Sequence, residues 1–288
     1  MATEEMAANA EATAAWDGPL FERFVQYRQI VVGGLAGHGD KALSLYPPKE
    51  GARVLDVGCG FGDTTAQIAA LIGPAGHAHG VDVAPRFIES AGAEFRLPTT
   101  SFSVADVQFD DLGGPYDYVF SRFGVMFFDN PGAAIRNVRK SMAPGARLVV
   151  VVWRIREENP WMYEAQQIVE RLIGRPAEYD EPTCGPGPFS MAGADTTSGI
   201  LVGAGFTDVT LTRADIPILI GRDVEEALDL MLALGPAGEM VRLWGDRMAD
   251  RHDELRAALR DGLAKLQTER GVEGMASTWI VSAINPET

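Results

Sequence analysis

The chain has 288 residues, 46% of them apolar and 23% charged, which is ordinary globular composition with ample material for a full core. Its 40 acidic and 25 basic side chains give a formal net charge of −15, and no run of Lys and Arg interrupts that field, so nucleic acid and anionic membrane surfaces are disfavoured as partners. Two cysteines without metal-type spacing (Cys59 and Cys184), an acidic start lacking signal-peptide character, and no apolar run of membrane length point to a cytoplasmic protein.

The residues before Gly51 read as one or two leading helices, with the first dozen disordered. From Arg53 the pattern becomes regular. RVLDVG is a short, β-branched strand bounded by glycine, and DTTAQIAALIG is a helix with Thr65, Ile68, Ala69 and Ile72 on one face, stopped at Gly73-Pro74. HAHGVDV is a second strand. PRFIESAGAEF is a helix with proline in its first turn, where the missing amide costs nothing. SFSVADV and YDYVFSRF are the third and fourth strands. PGAAIRNVRKSM is a helix with Ile135, Val138 and Met142 inward, and RLVVVVW is the fifth strand. Strands alternating with helices imply an α/β fold: a parallel sheet covered on both faces, binding ligands at the carboxyl ends of its strands.

Beyond Trp153 the sequence predicts a helix in NPWMYEAQQIVERLI and a proline- and glycine-rich lid-type loop from Gly174 to Gly193. A short helix over Asp195–Gly203, a strand in TDVTLTRADIPI, helices over Asp223–Leu234 and Ala237–Leu266, and a closing strand in STWIVSAI follow.

The loop after the first strand, in VLDVGCGFGDT, decides the ligand class. A Walker loop needs Lys-Ser or Lys-Thr after its glycines, and none is present. A dinucleotide loop is spaced G-x-G-x-x-G, whereas Gly58, Gly60 and Gly62 are spaced G-x-G-x-G. Asp56 and Asp63 would also bracket a pyrophosphate with negative charge. The loop suits a cationic ligand.

S-adenosylmethionine, with its sulfonium and ammonium groups, meets that requirement, and D-V-G-C-G-x-G resembles the first motif of the class I methyltransferases. GVDVAP, VADV, YDYVFSRF and RKSMAPGARLVVVVW resemble the later motifs, so the likeness spans Gly51 to Trp153 and is closest to quinone-methylating and related small-molecule enzymes. It implies a doubly wound, Rossmann-like sheet of seven mostly parallel strands, the last antiparallel. A leading segment (1–50), a core (51–220 and 272–288) and a helical cap (221–271) are expected. It also implies cofactor roles. Gly58, Cys59 and Gly60 pass close to the methionine portion, and Asp56 balances the ammonium. Asp82 accepts the ribose hydroxyls, as the ribose acid of dinucleotide folds does. Asp106 accepts the adenine amino group between Val83 and Val107, and Ser121 presents backbone to the amino-acid end. S-adenosylhomocysteine is the product. Tyr27 or Arg28 closes over the cofactor from the leading helix.

Methyl transfer needs the acceptor lone pair in line behind the sulfonium carbon, and a general base is optional. His77, His79 and His252 read as surface residues, leaving His38 and Tyr27 as weak catalytic candidates. Asp129-Asn130 precedes Pro131 and reads as a helix cap rather than a metal cluster; no metal is expected. The fourth strand ends in SRFGVMFF, not the acid-or-amide, proline, proline, aromatic pattern of nucleic-acid amine methylation. Phe123, Met126, Trp153 and Phe189 are therefore expected to line a pocket for a small apolar or aromatic acceptor. Carbon methylation of a quinol precursor, and a non-catalytic S-adenosylmethionine-binding regulatory module, are the alternatives. A two-fold homodimer is the default assembly.

Overall fold

A computed structural model describes residues 13–176, 179, 186–245 and 250–287. Strands β1 (Arg53–Val57), β2 (His77–Asp82), β3 (Thr100–Val104), β4 (Tyr116–Arg122) and β5 (Met142–Trp153) pair in parallel, in the order β3-β2-β1-β4-β5. Two long strands complete the sheet. β8 (Gly271–Ile284) lies antiparallel between β5 and β6 (Thr207–Gly221), so the last strand is the reversed one. A two-residue β7 (Gln267–Thr268) pairs with the start of β8 and brings the count to eight, one more than the sequence pattern implies.

Alternation along the central strands divides their side chains between two cores. Leu55, Val57, Val119, Val150 and Val152 face one side, packed against Ile135 and Val138 of α5 (Pro131–Lys140) and against α6 (Pro160–Ile173). Val54, Phe120, Val149 and Val151 face the other. There they meet Ala42 and Leu43 of α2 (Gly34–Leu45) and Ile68 and Ile72 of α3 (Asp63–Ile72). The remaining parallel-sheet helix is α4 (Pro85–Glu94). Helix α5 starts where Asn130 Oδ1 accepts the Ala133 N–H at 3.0 Å, the cap expected at that position.

The leading region is less regular than expected. Two π-helical stretches, Trp16–Leu20 and Gln29–Gly33, flank a short α1 (Phe21–Gln26). Gly18 and Pro19 interrupt the first stretch, because proline cannot continue the ladder. The first dozen residues and Cys184 lie outside the described residues. After α7 (Ala194–Gly203) and β6, the stretch expected to form a cap carries α8 (Val224–Ala233), α9 (Pro236–Trp244) and α10 (His252–Ala264). The single helix expected over Ala237–Leu266 is thus two, divided where Gly245 adopts a left-handed φ of 53°.

Asn159, fully buried at the start of α6, ties β5 to β8. Its Oδ1 accepts the Ser277 N–H at 2.8 Å, and its Nδ2 donates to the carbonyls of Ser277 and Ile155 at 3.1 and 3.2 Å. Truncation would leave those backbone groups without partners in a dry site. Asn159→Ala is therefore expected to lower stability by about 2 kcal/mol or more, read by urea denaturation.

Candidate functional site

A cavity of about 930 Å3 opens at the carboxyl ends of β1, β2, β4 and β5. Its position follows from a break in the sheet order: β1 continues to β2 on one side, while β4 lies on the other. The glycine loop turns there. Gly58, Gly60 and Gly62 all hold left-handed φ values, at 67°, 53° and 82°. The Gly58 and Cys59 N–H groups donate to the Val81 carbonyl at 2.9 and 3.0 Å, which fastens the loop to β2. Gly58 is required for space as well as conformation, because a Cβ would stand 2.9 Å from Gly124 Cα.

One side of the cavity is polar. Asp82 lies on the wall with Oδ2 accepting the Gly60 N–H and Oδ1 the Ala84 N–H, each at 3.0 Å. Burial raises its pKa, and the backbone donors of Ala84, Gly60 and Val83 pull against that rise. Val83, Asp106 and Val107 share this wall with Gly58, Cys59 and Gly60. The Asp106 carboxylate accepts the Gln108 N–H at 3.0 Å, which fixes it at the third strand's end. Burial raises the Cys59 thiol well above its ordinary value, so this cysteine is a small neutral wall group.

The other side is apolar and aromatic. All four residues expected there, Phe123, Met126, Trp153 and Phe189, line the cavity. Phe123 and Trp153 stack with centroids 4.6 Å apart and planes 28° apart. Phe123 holds φ at 64°, uncommon for a bulky residue, with its N–H donating to the Val151 carbonyl at 2.9 Å. Sequence reading missed part of this wall. Trp16, Phe24 and Val31 arrive from the leading segment, and Ile218 and Met231 from β6 and α8. No periodic signal marks them, because residues distant in sequence become neighbours only after the segment folds back. Trp16 packs edge-on against Phe127 at 4.9 Å, and Phe21, Phe61 and Phe87 cluster beside it, holding the segment down.

Five expected residues are not on the wall. Alternation along β1 turns Asp56 onto α3, where it accepts a 2.7 Å hydrogen bond from Thr65 Oγ1. Burial raises its pKa to about 6, while Thr65 and Arg122 pull it back. Ser121 is fully buried and donates to the Val57 carbonyl at 2.7 Å, so its hydroxyl braces β4 against β1. Tyr27 is buried in the core and accepts from Gln26 Nε2 at 3.1 Å. His38 sits one layer behind the wall, its ring 6.0 Å from Phe123 and 6.3 Å from Trp153. Its Nδ1 lies 3.0 Å from Thr278 Oγ1, and Nε2 has no partner. Arg28 is engaged elsewhere: it bridges Asp63 at 3.1 Å and Glu94 at 2.7 Å, with its guanidinium 4.5 Å above the Phe61 ring.

Residues 54–145 match the model of a methyltransferase domain. That stretch is a class I methyltransferase domain. The chain is 28% identical over 163 residues to a trans-aconitate 2-methyltransferase of Methylobacterium nodulans, covering 57% of each chain. It is 27% identical to a demethylmenaquinone methyltransferase of Bacillus subtilis, over 38% of this chain and 49% of that one. The matched stretch thus spans about half the length of these relatives. Among solved structures, a phosphoethanolamine N-methyltransferase of Haemonchus contortus in complex with S-adenosyl-L-methionine shares the fold. Its TM-score is 0.52 at 15% identity, over 87% of this chain and 52% of that one.

His38 offers a test of the interior electrostatics. Burial, and next the Arg122 guanidinium, depress its pKa from 6.5 to about 4. The unfolded chain takes up a proton below 6.5 that the folded chain refuses until about pH 4. Stability from neutral His38 is therefore complete above 6.5 and drains as pH falls through that window. Urea denaturation at about pH 7.5 and about pH 5 is expected to show a smaller loss for His38→Met than for the unmodified chain.

Proposed function

We propose that the chain transfers a methyl group from S-adenosylmethionine to a small, largely apolar or aromatic acceptor. The observation that carries this reading is one continuous cavity with a carboxylate-and-glycine wall facing an aromatic one. The residues present fit the cofactor: a left-handed glycine cradle leaves room at Gly60, where a Cβ would meet only the Phe87 ring at 3.9 Å, and Asp82 holds a buried carboxylate on the same wall. In this reading Asp82 accepts the ribose hydroxyls. Asp106 accepts the adenine amino group between Val83 and Val107, and Gly58 to Gly60 admit the methionine portion. Bound there, the cofactor supplies an activated methyl group.

The protein's part is to place the acceptor and exclude water. Phe123 and Trp153 form a flat surface at the ends of β4 and β5, next to the glycine loop, against which a planar acceptor can lie in line. Holding both partners aligned and desolvated is worth on the order of 7–11 kcal/mol in favourable intramolecular cases. A general base is optional where the acceptor atom already offers a lone pair or a stabilised carbanion. A quinol precursor methylated at carbon is the second reading. The flat aromatic pair suits it, and the Bacillus subtilis relative is named for a quinone.

None of the described helices is long and apolar enough to cross a membrane. A cytoplasmic location and a two-fold dimer belong to the same reading, and the acidic net charge of −15 supports independence from nucleic acid.

Calorimetric titration is expected to show binding of S-adenosylmethionine and S-adenosylhomocysteine and none of NAD. An Asp82→Ala substitution is expected to weaken both adenosyl ligands about tenfold or more, the worth of a charge-assisted hydrogen-bond pair. Failure of both adenosyl ligands to bind the unmodified chain would overturn the assignment.

A further inference from the structure

Arg122 is the last residue of β4. Its guanidinium lies on the cavity wall beside the glycine loop. Nε donates to Thr64 Oγ1 at 3.1 Å, and Nη1 donates to the Val32 carbonyl at 3.2 Å. A guanidinium carries five N–H donors, so these two bonds leave the rest of the fork to the cavity. Burial lowers its pKa, and the nearby carboxylates of Asp56, Asp63 and Asp40 draw it back up. None of the three makes an ion pair with it: Asp56 is bonded to Thr65, Asp63 to Arg28, and Asp40 to Gln67. Arg122 therefore forms no ion pair among the described residues.

The position is built for this side chain. A Cβ on Gly39 of α2 would stand 3.1 Å from Arg122 Cδ, so the helix presents a glycine where the arginine stem crosses it. Thr64, in the first turn of α3, and Val32, in the leading segment, then fix the head from two sides. A partly buried cation held this firmly, without a carboxylate partner and facing a cavity, is costly unless a ligand supplies the anion.

We propose that Arg122 binds the α-carboxylate of S-adenosylmethionine. This assignment rests on the cofactor reading given above. The surroundings select a zwitterion over a simple anion, because the fields of Asp56 and Asp63 that oppose a bare negative charge favour the adjoining ammonium. The glycine loop where the methionine portion is placed adjoins the same spot, since Gly58 touches Gly124, two residues beyond Arg122. Arg122 is thus a cofactor-binding residue that also couples the cofactor to the leading segment through the Val32 carbonyl.

The test is a cycle of two ligands and two proteins, read by calorimetry. S-adenosylmethionine and its decarboxylated analogue share the sulfonium and the amine and differ only in the carboxylate. The unmodified chain is expected to prefer the carboxylated ligand about ten- to a hundredfold, the range of a charge-assisted hydrogen-bond pair. Arg122→Met is expected to abolish that preference while binding the decarboxylated analogue and 5′-methylthioadenosine as before, which also shows that the variant is folded. Should Arg122→Met fail to fold, Arg122→Lys is expected to reduce the preference and leave methylthioadenosine binding unchanged. A preference that survives both substitutions would overturn the assignment, as would equal binding of the two ligands by the unmodified chain. If no adenosyl ligand binds the unmodified chain, the cofactor reading itself falls and takes this assignment with it.

Discussion

The close approach of two backbone turns organises everything else in the site. At the carboxyl ends of the neighbouring strands β1 and β4, Gly58 and Gly124 pass so near each other that a Cβ on either would fall 3.0 Å or less from the other's Cα. A side chain at either position would push β1 and β4 apart, and with them the two halves of the cavity. The glycine-and-carboxylate half is built on the loop after β1, and the aromatic half on the residues after β4. The aromatic stack of Phe123 and Trp153 inherits its place from the same junction, which is why a left-handed phenylalanine is tolerated there.

An acidic protein has arranged its interior charge with economy. Asp56, Asp82, His38 and Arg122 lie within one region under the sheet's carboxyl end, and burial shifts each of their pKa values toward the neutral form. Local hydrogen bonds separate their roles. Asp56 is bound to α3 through Thr65, whereas Asp82 is anchored by backbone amides and still reaches the cavity. Arg122 depresses the pKa of His38 and lowers that of Asp56, so one guanidinium influences both without touching either.

The leading segment combines irregular helical structure with several tethers to the rest of the chain. Its π-helical stretches and the kink at Gly18 give little local stability, so tertiary contacts hold it in place. Arg28 joins it to Asp63 and Glu94, and Arg86 joins α4 back to Glu22 at 2.6 Å. Such exposed ion pairs are individually weak. The buried cluster of Phe21, Phe61 and Phe87 supplies the larger apolar contribution and places Trp16 over the cavity.

Much of the fold was legible from residue order alone. Short β-branched runs bounded by glycine, alternating with apolar stripes of helical period, predict a doubly wound sheet because those periods reflect local backbone geometry. The carboxyl ends of the strands then locate the ligand, and the acids and glycines at those ends could be placed because a strand terminus fixes its side chains closely. Asp82, Asp106, Phe123 and Trp153 accordingly reach the cavity. Neighbours from distant segments were not legible. Asp56 and Ser121 also sit at strand ends, yet Thr65 and the Val57 carbonyl claim them, and no local pattern reports which side of the sheet a polar group will satisfy. His38 looked available in a glycine-rich helix, but those glycines let the helix press onto β6 and the Arg122 stem and bury the ring. The sequence by itself determined the order of strands and helices and the chemistry of the glycine loop, both governed by interactions between near neighbours. Only the tertiary structure decided which polar groups face the cavity, because each buried donor or acceptor takes the partner that folding brings within reach.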